Sequence, residues 1–200
     1  MSGAEAITVV GLIAAVITII DTSRSLYDAA GSARGLHEAF RAVSQNISLV
    51  LTILRDCQAI QERNDETYKT TKDAELKRKL TDSAEAVRPI MTTCKDNAQH
   101  LKDIFEKVIP GDEAGRLERY KKAAQAAVSG KKRRVEDLMK EILQQLQLLH
   151  TSQFFREEAN RRSDEIQKVI ARLEELPSSL AEEDGRYMHY GSGSLNVNSV

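Results

Sequence analysis

The chain has 200 residues, with 29 Lys and Arg against 30 Asp and Glu, a net charge of −1, 41% hydrophobic residues and 4% aromatics. A near-neutral balance excludes a global field that would draw in nucleic acid or membrane, so electrostatic targeting can come only from a local patch. With three prolines and no Trp in that length, the composition points to helices with aliphatic seams.

The first element is a hydrophobic helix over residues 4–20, in which Ala6 to Ile20 carry no charge. Apolar on every side, it gives no periodicity to read. Asp21, Thr22 and Ser23 supply stop-and-cap residues, a short helix follows around Arg24 to Ala30, and Gly31 and Gly35 bracket a loop. Leu36, Phe40, Val43, Ile47, Val50, Leu54 and Cys57 then alternate in steps of four and three, one face of a helix that needs a partner helix to cover it. The polar run Gln61 to Lys72 is expected to hold the turn, with Thr70 and Asp73 as a helix start.

A third helix carries its stripe from Leu76 through Leu80, Ala84, Val87, Met91, Cys94, Ala98, Leu101 and Phe105 to Val108, with a kink rather than a break expected at Pro89. Pro110-Gly111 ends it. Leu117, Tyr120, Ala124 and Ala127 mark a shorter helix ending at Ser129-Gly130. Val135, Leu138, Ile142, Leu146 and Leu149 open a long one whose stripe changes phase near His150 to Gln153, as a kink or a change of buried face would require, before Phe155, Ala159, Ile166, Val169, Leu173 and Leu176. Pro177 stops it. The expected fold is an all-α antiparallel bundle of about five or six helices over residues 1–177, followed by a flexible Gly/Ser/Asn-rich tail over 178–200. In the tail, Ser194 to Asn198 alternates polar and apolar residues as a stacking strand would, but two apolar side chains in ten residues favour a linker.

The residues of catalysis do not assemble. His37, His100, His150 and His189 stand apart from any metal-ligand spacing, and adjacent acids such as Glu157-Glu158 point to different sides of a helix. Gly130-Lys131, the one Gly-Lys pair, lacks the second glycine and the hydroxyl of a phosphate-cradling loop. Catalytic residues, a metal, a cofactor and a small-molecule substrate are therefore not expected, nor is nucleic acid, since only Tyr120 interleaves with basic residues. Cys57 and Cys94 fall on apolar faces as buried free thiols, which suits a reducing, cytoplasmic location.

Two features stand above this background. From Arg116 to Arg134 the chain carries Arg116, Arg119, Lys121, Lys122, Lys131, Lys132, Arg133 and Arg134 against one acid, Glu118. This is either a solvated turn or a patch for anionic lipid head groups, where each basic residue adds ~1 kcal/mol. The other is the opening segment. It lacks the basic start of a signal peptide, and fifteen helical residues reach ~23 Å against a hydrocarbon core of ~30 Å, too short for a standard span. Such a helix either belongs to the bundle core or leaves it on self-association, inserting Ile7, Val9, Val10, Leu12, Ile13, Val16, Ile17, Ile19 and Ile20 into a bilayer with Asp21 and Arg24 near the head groups.

The stretches MSGAEA, DTSRSLYDAAGSARGLHEAFRAVSQNISLVL, VIPGDEAGRLERYKKAAQ and GKKRRVEDLMKEILQQLQLL resemble the SesA-type N-terminal domain of fungal NACHT and other P-loop NTPase receptors. The similarity runs from about Met1 to Leu176. It implies a non-enzymatic signalling domain of a fungal NOD-like receptor system acting in programmed cell death or heterokaryon incompatibility, with relatedness to HeLo and HeLo-like domains, whose N-terminal hydrophobic helix can permeabilise membranes. It further implies a homo-oligomer on activation, a NACHT receptor as partner, and recruitment from cytoplasm to an anionic membrane. The alternative is a soluble helical adaptor that binds a partner receptor and never meets lipid.

Overall fold

A computed structural model describes residues 4–30, 36–110, 114–125 and 134–180. Among these it contains six α-helices: α1 (Ala4–Ala29), α2 (Glu38–Thr70), α3 (Ala74–Val108), α4 (Arg116–Gln125), α5 (Val135–Gln147) and α6 (Arg156–Glu175), with a 3-10 turn at Leu148–Thr151 between the last two. The all-α antiparallel bundle with its hydrophobic first helix is the fold the periodicity predicts.

The helix ends differ from the sequence expectation in three instructive places. Asp21, Thr22 and Ser23 do not stop α1. The hydroxyls of Thr18, Thr22, Ser23 and Ser25 each donate to the carbonyl four residues back, at 2.8 to 3.0 Å, so residues that could cap a helix are absorbed into one. Likewise α2 does not turn at Gln61. Gln61 Nε2 donates to Asp65 Oδ1 at 2.7 Å in a buried pair one turn apart, and the helix runs on to Thr70. The break comes at Asp73, whose carboxylate accepts from the backbone N–H groups of Glu75 (2.9 Å) and Leu76 (3.2 Å); Asp73 itself caps α3, three residues beyond Thr70.

The third difference is the phase change after Leu149. It marks a reversal of direction rather than a bend. The start of α5 meets the end of α6, with Lys140 Nζ 3.7 Å from Glu174 and Arg134 donating to Ser178 Oγ at 2.8 Å, so the two helices form a hairpin. Ser83 of α3 and Ser152 of the connecting turn share a buried hydroxyl contact of 2.7 Å that pins this reversal to the bundle.

Helix α3 is the hub, touching α1, α2, α4, α5 and the 3-10 turn. Pro89 lies within it on the exposed side. Beside the predicted stripe α3 buries a second seam, Ser83, Ile90, Asn97 and Ile104, spaced seven residues apart. A helix buried on two sides separates layers. Among the described elements α1 packs on α2 and α3 alone, whereas the α5–α6 hairpin packs on the same pair without touching α1. The α2–α3 pair is thus the middle layer, with α1 on one face and the hairpin on the other.

Candidate functional site

Helix α1 buries Val9, Ile13, Val16 and Ile20 completely, in steps of four, three and four, and Ser23 continues the line. Full burial of each aliphatic side chain is worth about 1.5–3 kcal/mol, so this stripe is the main hold on the helix. Val10, Leu12, Ile17 and Ile19 flank it half-buried; Ile7 lies on α1 with its side chain outside the described set. The opposite side, with Gly11, Thr18, Asp21 and Ser25, faces solvent.

Among the described residues, no side-chain hydrogen bond or ion pair joins α1 to another helix. The hydroxyls of Thr18, Thr22, Ser23 and Ser25 bond to its own backbone, and the ion pair of Arg24 with Asp28 at 3.6 Å is internal and exposed. Among the described residues, the ring contact of α1 with another helix is Tyr27 against Phe105, with ring centroids 6.3 Å apart. Past Ile20, α1 continues through Asp21, Arg24 and Asp28 to Ala29. Val9–Ala29, 21 residues with only 28% of the apolar window buried, is long and apolar enough to cross a membrane by length and composition.

The described basic residues of the 116–134 segment have separate partners. Arg116 is buried and donates to the Ile109 carbonyl at 3.4 Å; Arg119 donates to the Val108 carbonyl at 3.3 Å. Both guanidinium groups serve the C-terminal carbonyls of α3, where orphan acceptors and the negative dipole end attract cations. Arg134 pairs with Asp137 at 2.6 Å and lies 3.8 Å from Glu136. Lys121 pairs with Glu118 at 3.1 Å, Lys122 is exposed, and Lys131, Lys132 and Arg133 fall outside the described residues.

Sequence reasoning missed a buried polar clasp at this end of the bundle. Val135 N–H donates to the Tyr120 hydroxyl at 3.2 Å, and that hydroxyl lies 2.6 Å from Ser179 Oγ. Ser179 Oγ in turn donates to the Glu136 carboxylate, 2.8 and 2.6 Å from its two oxygens, and Ser179 N–H adds a bond of 3.0 Å. With one proton per hydroxyl, the order that satisfies every group runs from Val135 through Tyr120 and Ser179 to Glu136. Burial pushes the Tyr120 phenol up to about 12, with the Glu136 carboxylate adding to the effect and the bond from Val135 N–H opposing it. The clasp joins α4, the start of α5 and the segment after α6. It leads on to Phe40, whose ring meets Tyr120 edge-on at 4.9 Å and stacks on Phe105 at 5.4 Å, the ring that Tyr27 also touches.

Cys57 and Cys94 are free and buried, and burial pushes each thiol up to about 12, out of the reactive thiolate range. His37 caps α2, its Nδ1 accepting from Ala39 N–H at 3.2 Å. Among the described residues no group of three His, Cys, Asp or Glu could hold a metal ion.

Against known proteins, a family profile described as the SesA N-terminal domain on NACHT NTPases and P-loop NTPases matches residues 13–149. The chain belongs to the SesA family. The match runs from Ile13 in α1 to Leu149 in the 3-10 turn, so the SesA core spans the middle layer and both helices that begin the outer ones. It is an N-terminal domain associated with NACHT-type NTPases. No curated protein and no solved structure matches the chain.

Proposed function

We propose that this SesA domain is a non-enzymatic effector of a fungal NOD-like receptor system, held in the cytoplasm until a NACHT partner or self-association frees α1 to enter a membrane. Cell death or incompatibility is the outcome, by the HeLo-like route in which an N-terminal helix breaches the bilayer. The observation that carries the reading is the manner of α1's docking. A helix satisfies its own backbone, and among the described residues no side chain of α1 is tied by a polar contact to another helix, so hydrocarbon can replace that part of the protein groove without stranding a hydrogen bond. With residues 4–20 in the hydrocarbon, Asp21 and the Arg24–Asp28 pair meet the head groups, and the helical continuation to Ala29 carries the chain through the interface.

Gly11 supplies a test that leaves the resting fold alone. It is exposed on α1, and a Cβ there meets nothing within 4 Å. Gly11→Asp therefore keeps the domain folded but opposes insertion by about 2.5–3.5 kcal/mol. Leakage of anionic liposomes by clustered protein should fall at least about tenfold in the variant, with an unchanged melting temperature. Equal leakage would remove the insertion mechanism.

The adaptor reading has its own support in the complete burial of Val9, Ile13, Val16 and Ile20. It predicts that the wild type leaves vesicles intact however it is clustered.

A further inference from the structure

Helices α2 and α6 meet where Asp56 faces Arg161 (3.7 Å) and Arg162 (3.5 Å), then leave between them a groove of about 490 Å³. One wall is neutral and hydrogen-bonding: Gln45, Asn46, Ser48 and Thr52 of α2. The other wall, on α6, presents Lys168 and Arg172, both exposed. Leu49 and Val169 lie between the walls.

The charges here differ from those elsewhere on α6. Arg161 and Arg162 are bound up with Glu158, and Arg162 also with Glu165 at 3.4 Å; against the burial that would raise it, the two guanidinium groups hold the Glu158 carboxyl below its usual range. Glu165 is the one acid lining the groove and is already committed to Arg162. Lys168 and Arg172, by contrast, make no side-chain hydrogen bond or ion pair within the described residues. They stand four apart on one helix face, a like-charge spacing that costs a few tenths of a kcal/mol (~0.2–0.5) in a helix. No carboxylate on the opposite wall offsets the cost.

We propose that this groove binds a phosphomonoester carried on a compact hydroxylated ring. Lys168 supplies a point charge and Arg172 a planar fork for the phosphate oxygens, while the Gln45 amide and the Ser48 hydroxyl face the ring hydroxyls together with Asn46 Oδ1, whose Nδ2 donates to the Ala42 carbonyl at 2.7 Å. The volume falls in the range of small-ligand sites, ~300–1,000 Å³. This site stands apart from α1 and does not depend on its insertion. It also differs from the 116–134 segment, whose Arg116, Arg119 and Arg134 serve the bundle.

The probe is myo-inositol 1-phosphate, a single phosphomonoester on a ring that keeps its other hydroxyls, titrated calorimetrically into the full chain at about 0.15 M salt, where weak surface attraction is screened. Saturable binding at one site is expected. Lys168→Gln with Arg172→Gln should weaken it at least about tenfold, as should Ser48→Glu, which places an acid in the groove while leaving both cations. These positions are exposed, and unchanged thermal melting confirms that the fold is kept. Lys121→Gln with Lys122→Gln, the control for unspecific charge, should change affinity less than about twofold. A second arm uses vesicles of phosphatidylcholine with and without a phosphoinositide. Sedimentation with the phosphoinositide vesicles, lost in the groove variants, assigns the ligand to a lipid head group; soluble binding without sedimentation assigns it to a free phosphate. Absence of saturable binding in the first arm, or equal losses in the groove and control variants, would overturn the proposal.

Discussion

Helix α1 and the Tyr120–Ser179–Glu136 clasp sit at opposite ends of one column of rings, yet are held by opposite physics. Four fully buried aliphatic side chains fix α1, with no hydrogen bond or ion pair to a neighbouring helix among the described residues. The clasp is a buried chain of directional bonds that ends on a carboxylate. Apolar contact is non-directional, so a lipid can supply it as well as a protein groove. A buried polar chain has no such substitute, because each partner removed strands another in a low-dielectric site. The comparison teaches which end of this domain is built to move and which to stay.

The largest expected effect comes from placing a charge where α1 is held. Ile13→Asp buries an unpaired carboxylate among α2 and α3 and should cost more than about 4 kcal/mol of docking, enough to detach α1 or unfold the domain. Chemical denaturation followed by circular dichroism measures it; wild-type stability would mean that α1 is not docked through this stripe. Next is Tyr120→Phe, which leaves Val135 N–H and Ser179 Oγ without their shared partner and should cost about 1–3 kcal/mol. The same variant has an alkaline signature. Tyr120 ionises near 12 when folded and about 10 when unfolded, so the stability due to its neutral form is present below the lower value and lost as pH rises through the higher. Spectrophotometric titration should therefore show a late tyrosinate component that Tyr120→Phe removes. Smallest is Gly11→Ala, where an exposed helix interior has room for a Cβ and should gain about 0.5–1 kcal/mol. A loss there would mean that the solvent side of α1 is covered.

The sequence made the apolar framework legible because its signals are local and periodic. The stripe from Phe40 to Cys57 and that from Leu80 to Val108 are buried as the spacing predicts. Leu117, placed on a stripe by the same spacing, is half exposed, since α4 rests on the end of α3 through Arg116, Arg119 and Tyr120 instead. Helix ends were less legible, because Ser, Thr and Asp serve equally well as caps and as residues that bond back within a helix; only packing decides between the two at Thr22 and Asp73. The clasp gave no local signal at all. Ser179 and Glu136 are polar, 43 residues apart and unremarkable in composition, and the fold alone brings them together. For the same reason, the described basic residues of one stretch of sequence are divided in space, Arg116 and Arg119 to α3's carbonyls, Lys121 to Glu118, Arg134 to Asp137 and Lys122 to solvent.

Native-state hydrogen exchange at low denaturant tests the difference between the two regions most directly. The account predicts that amides of Val9 to Ala29 exchange through a shared opening of lower free energy than those of α3 and α5, and that anionic vesicles with clustered protein shift the α1 amides alone into a new, lipid-protected state. Exchange of α1 only through global unfolding, unchanged by vesicles under any clustering condition, would contradict it.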